Sequence, residues 1–135
     1  MRNCVRFALG ADELIIEKIV KDGRAIALVT GDEKAVTDVR SALDMAMSAK
    51  YELHTDKIIV DKRLITEDFF VLSTGLAGEI LQKFVNYGVR VAIFGDFSKY
   101  TSKPLLDFIY ESNKGRDAFF VTSKDAAAEK LISIA

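Results

Sequence analysis

Scarcity narrows this sequence before any motif does. Among 135 residues there is one Cys, one His, one Pro and no Trp. A lone Cys4 cannot close a disulfide within the chain, and one Cys with one His cannot assemble a Cys- or His-based zinc site. A Ser-His-Asp mechanism would rest wholly on His54. An excess of one charge is also missing: 19 Lys and Arg face 20 Asp and Glu, for a formal net charge of -1. That balance argues against nucleic acid or an anionic membrane as the main partner. No apolar run approaches the roughly 20 residues a bilayer span needs. The stretch Val5 to Leu9, closed by Gly10-Ala11-Asp12-Glu13, is too short for a secretory leader. A single thiol suits a reducing interior, so the expected compartment is the cytoplasm. With no linker, repeat or low-complexity segment, residues 1–135 read as one domain, and 50% apolar residues suffice for a core.

What is present is periodic. Leu14 to Val20 and Ala25 to Val29 are β-rich runs joined through Asp22-Gly23, a strong signal for a tight hairpin. The second run is apolar on both faces, as a buried strand requires. Asp32 reads as a helix cap, followed by Val36, Val39, Leu43 and Met47 on one stripe. Lys57 to Asp61, Arg90 to Gly95 and Asp117 to Val121 read as buried strands. Between and after them lie amphipathic helices. One opens at Ser73-Thr74-Gly75 and stops at Gly88; one opens at Ser102-Lys103-Pro104 and stops at Lys114-Gly115; one is capped by Ser123. Thr66 should cap a short turn of helix carrying Phe69 and Phe70. The order ββαβαβαβα predicts an α/β fold: an N-terminal antiparallel hairpin, then alternating units. Its mixed, mostly parallel sheet should have about five strands with helices packed against it.

The middle of the chain resembles the STAS domain, the family of the bacterial anti-sigma-factor antagonists. The resemblance is carried by the opening hairpin, by Ser73-Thr74-Gly75-Leu76 at a helix start and by the glycine-preceded strand Gly88 to Gly95. It implies a STAS-like sheet, a regulatory role exercised by docking on another protein, and Ser73 or Thr74 as phosphoacceptor. The sequence departs from that pattern at Leu72, where the family carries an Asp. A longer match is to an uncharacterised prokaryotic family, domain of unknown function 4180. Phe69 to Tyr87, Gly95 to Ser98 and Phe108 to Asn113 look like its signature. That resemblance implies no activity.

The candidate residues gather in two groups. Phe69, Phe70, Ser73, Thr74, Gly75 and Gly78, with Asp96 and Tyr100 from a neighbouring loop, form the expected interaction surface. Unpaired N–H groups at a helix start favour an anion or a phosphorylated hydroxyl; a plain Ser cap and close packing at the glycines are the simpler alternatives. An exposed Phe69 or Phe70 would serve as a partner contact. The second group, Asp61 and Asp96 at the carboxyl ends of two strands with Glu111 and Ser73, could bind a small molecule or anion. Glu111 and Asn113 could face a crevice with Tyr100. His54 reads as a loop residue. No metal or cofactor is expected, and no catalytic residue stands out. The expected function is therefore a non-catalytic regulatory or protein-binding module, with a small enzyme or ligand binder as the alternative. The expected partner is a protein, a second copy of the chain being one option.

Overall fold

A computed structural model of the chain describes residues 4–9 and 12–134. Six strands form one sheet in sequence order: β1 (Cys4–Leu9), β2 (Asp12–Lys21), β3 (Arg24–Gly31), β4 (Lys57–Asp61), β5 (Arg90–Phe94) and β6 (Ala118–Val121). The first three run antiparallel and β3 to β6 run parallel. The expected hairpin is β2–β3, turned at Asp22 and Gly23, whose φ angles of 53° and 77° are both positive as a two-residue hairpin turn demands. β1 is the strand beyond the five expected, and it takes up Cys4, which the sequence left outside any element. Six residues carry too little periodicity by themselves to declare a strand.

Four helices complete the domain: α1 (Val39–Glu52), α2 (Leu76–Asn86), α3 (Lys103–Lys114) and α4 (Lys124–Ser133). Because successive strands advance across the sheet in one direction, like-handed crossovers place α1, α2 and α3 on the same face. Their core joins Val29, Ile58, Val60, Val91, Ile93 and Phe120 to Met45, Ile80, Phe84 and Leu105. The opposite face is covered by α4, which packs Ala127, Ala128 and Leu131 on Ile26, Ile59, Ala92 and Phe119. Phe119 and Phe120 thus enter different layers, as the two-residue period of a strand requires.

The helix caps follow the sequence only in part; Thr66, for one, precedes its 3-10 turn without a side-chain cap bond. Asp38, not Asp32, caps α1: its carboxylate accepts from the Ser41 N–H at 2.8 Å, and the Ser41 hydroxyl accepts from the Asp38 N–H at 3.1 Å. This reciprocal box outcompetes a lone Asp. Val36, expected on the helix, instead makes a parallel bridge to Ile65. The buried stripe of α1 is Ala42, Met45, Ala46 and Ala49, with Leu43 and Met47 only half-buried. Ser123 caps α4 through the Ala126 N–H at 3.1 Å. Ser102 precedes α3 without a side-chain cap bond, and Pro104 sits in its first turn.

Candidate functional site

Between β4 and α2 the chain runs through three 3-10 turns, Lys62–Leu64, Glu67–Phe70 and Leu72–Thr74. Such an irregular connection needs its own anchors, and Phe69 and Phe70 supply them. They are 2% and 3% exposed, so neither can be the outward partner contact anticipated for that pair. Phe69 meets Phe70 edge to face at 5.0 Å and lies 6.4 Å from Phe120. Phe70 stacks on Tyr100 at 5.2 Å and contacts Phe97 at 6.0 Å. Aromatic pairs at these distances add about 0.5–1.5 kcal/mol each beyond area burial. Position drives the correction: Phe69 and Phe70 join the core that α1, α2 and α3 share, packing with Met45, Ile80, Phe84 and Leu105.

The anchors leave the outer side of the segment exposed. Val71 is 49% exposed. Ser73, Thr74, Gly75 and Gly78 also face solvent. Gly75, at φ 79°, makes the left-handed step into α2. Thr74, rather than Ser73, ties the segment to the helix. Its hydroxyl shares its proton between the Asp68 and Val71 carbonyls at 2.8 and 2.9 Å and accepts from the Leu76 N–H at 3.2 Å. Ser73 makes no hydrogen bond among the described residues. The plain-cap alternative for Ser73 therefore gives way to Thr74. Glu79 places a carboxylate in the first turn of α2, which already complements that end of the helix dipole. Gly78 has open space where a Cβ would sit, so close packing does not account for it.

The loop after β5 joins this segment through Lys62, a residue the sequence did not single out. Its Nζ lies 5.3 Å from the Phe70 ring centre, 5.0 Å from the Tyr100 ring centre and 3.6 Å from the Glu67 carboxylate. Tyr100 donates to Glu67 at 2.9 Å, and Lys99 reaches the same carboxylate at 3.2 Å. Lys62 can cross there because Gly95 offers no side chain; a Cβ on Gly95 would lie 2.7 Å from the Lys62 Cβ. Burial opposes ionisation of Glu67, yet the bonds from Tyr100 and Lys99 and the charges of Lys62 and Lys99 hold it below its ordinary value. Burial, then the bond to Glu67, pushes the Tyr100 phenol up to about 12.

Asp61 and Asp96 do lie at the carboxyl edge, Asp61 ending β4 and Asp96 two residues past β5. Both are engaged within the chain. Burial opposes ionisation of Asp61, but Arg63 binds it through the guanidinium at 2.8 and 3.0 Å and the backbone at 2.9 Å, lowering its pKa, with Lys124 adding charge. The Ser98 side chain and then its N–H, which donates to Asp96 at 2.9 Å, lower the Asp96 pKa, with Lys62 and Lys99 adding charge. Glu111 does not join them; it is exposed late in α3, 3.9 Å from Lys114. Asn113 does not face a crevice with Tyr100 either. Its amide bonds both backbone groups of Phe120, at 2.7 and 3.1 Å, covering the free edge of β6. Open α/β sheets form ligand crevices where strand order reverses, and from β3 to β6 it never does. Among the described residues no three His, Cys, Asp or Glu side chains converge as metal ligands, and no helix is long and apolar enough to cross a membrane.

No curated protein and no solved structure matches the chain. A family model does match, over residues 21–131, from the end of β2 into the last turn of α4 and so across the whole site. With all of β3 to β6 and the 66–100 region inside that match, the chain belongs to the family described as "Domain of unknown function (DUF4180)".

Proposed function

We propose that the chain is a non-catalytic, regulatory protein-binding module. Its docking surface is the segment Val71 to Gly78 with the adjoining Asp96 to Tyr100 loop. The observation that carries this reading is the irregular connection pinned from beneath by Phe69 and Phe70, which leaves Val71, Ser73, Gly75 and Gly78 outward on a rigid base. Long loops held on a rigid scaffold are common carriers of recognition. The engagement of Asp61 and Asp96 within the chain favours recognition over chemistry at the same edge. The resemblance to STAS antagonists, carried by the order of elements, points the same way. Ser73, whose hydroxyl is free among the described residues, is the switch position. A phosphate there would stand near the Glu79 end of α2 and alter docking by repulsion. The working compartment is the prokaryotic cytoplasm.

A photo-crosslinking side chain at Val71, with the still more exposed Val20 on β2 as control, tests the surface in cells. The expected result is a discrete adduct with a second protein from position 71 alone, lost when Ser73→Asp is added. Equal adducts from both positions, or an adduct that survives Ser73→Asp unchanged, would show that the surface does not dock.

A further inference from the structure

The opposite end of the parallel strands holds a recess of about 480 Å³, lined by Arg24, Lys50, His54, Thr55, Asp56 and Lys57. Its size falls in the range of small-ligand sites. Three cations meet there against one carboxylate, in a chain whose formal net charge is -1. Their hydrogen bonds explain why they are held in place but do not neutralise them. Lys50 Nζ donates to the Tyr87 carbonyl at 2.6 Å, at the end of α2. Arg24 donates to the Ile132 carbonyl, in the last turn of α4. Each carbonyl is uncharged and takes one donor, where an ammonium has three and a guanidinium five. Among the described residues Lys57 alone of the three has a carboxylate partner, Asp56 at 3.3 Å.

The floor is rigid. Thr55 is 6% exposed, and its hydroxyl donates to the Ala25 carbonyl at 2.6 Å and accepts from the Lys57 N–H at 3.2 Å. His54 stands beside it at φ 56°, the left-handed position after α1 that glycine usually fills. A histidine there adds a side chain to the lining of the recess, where a glycine would add none.

We propose that this recess binds a small ligand through a phosphate-type dianion. After Asp56 is set against one cation, two positive charges remain, the complement of a phosphate monoester. Arg24 and Lys57 would give charge-assisted hydrogen bonds, Lys50 its charge, and His54 a ring donor. The site stands independently of the docking surface, at the other edge of the sheet.

The test is an NMR titration of the full chain with inorganic phosphate, with chloride at matched ionic strength as control. The amides of Ala25, Thr55 and Lys57 should shift saturably with phosphate and not with chloride. Arg24→Gln and Lys57→Gln should each weaken binding by about tenfold, the loss expected of one charge-assisted bond. Unchanged shifts in α2 and β5 verify the fold of each variant. Absence of a saturable shift, an equal response to chloride, or undiminished affinity in both variants would overturn the proposal.

Discussion

At the carboxyl ends of β4 and β5, charge is set against charge and ring against ring. Lys62 lies over Phe70 and Tyr100, Glu67 takes bonds from Tyr100 and Lys99, and Asp61 is held by Arg63. At the amino ends of β3 and β4 the same residue types are arranged to opposite effect. Lys50 and Arg24 are held by neutral carbonyls, and an open recess remains between them. The difference teaches what burial does to a polar group. Where aromatic side chains close over the strand ends, a charge must bring its counterpart, because leaving it unpaired would cost more than the pair returns. Where the helices merely end, carbonyls orient the cations while water still solvates them, and net charge survives.

The largest effect should come from breaking the aromatic anchor. Phe69→Ala opens a cavity beneath the whole connection and should cost about 3–5 kcal/mol, read by denaturant unfolding. A loss near zero would mean that the connection is not held from below. Gly95→Ala should cost about 1–3 kcal/mol, since its Cβ would meet Lys62 at 2.7 Å and push that side chain off the rings. The same unfolding measurement, with a rotamer change at Lys62 in a variant structure, checks it. At the other end the sign reverses. His54→Gly removes a left-handed non-glycine residue and should raise stability by up to about 1 kcal/mol, while weakening phosphate binding in the recess.

The last effect appears only at the extremes of pH. Tyr100 ionises at about 12 in the folded chain against an ordinary 10.0. Its stabilising contribution is therefore full below the ordinary value and disappears as pH rises through about 12. Glu67 is shifted down, so its contribution is full above the ordinary 4.5 and fades as pH falls through the folded value. Ultraviolet titration of the phenols should show the high Tyr100 transition, and Glu67→Gln should lower it. A Tyr100 transition indifferent to that substitution would break the coupled cluster into separate contacts.

Much of the architecture was legible along the chain because its signals are local. Asp22-Gly23 marked the hairpin, Gly88 the end of α2, Pro104 the first turn of α3, and the apolar runs at Ile58 and Val91 the buried parallel strands. Each depends on backbone preference or on a period within a few residues. The start of α1 was misplaced because Asp32 and Asp38 are equally good caps in isolation, and only Ser41 completes a box. Its buried face was misread because alanines carry a weak apolar signal. The geometry of the candidate site was legible in part. The sequence pointed to the segment 69–78 and the 96–100 loop, and Phe70 on Tyr100 does bring them together. Lys62 was invisible, because a lysine after a strand looks like any surface lysine until rings close over it.

The order of elements from the β2–β3 hairpin onward, the burial of the parallel strands and the balance of charge belong to the sequence alone. They rest on local propensity and composition, which need no third dimension. Tertiary structure decided which charges meet. Lys62 finds Glu67 and Tyr100 across 5 and 38 positions of chain, and Arg24 finds Ile132 across 108. It also decided that Phe69 and Phe70 turn inward, that Asn113 covers the edge of β6, and that Arg24, Lys50 and Lys57 share one recess. Such pairings depend on where crossovers set down residues far apart in sequence, and neither period nor spacing encodes that.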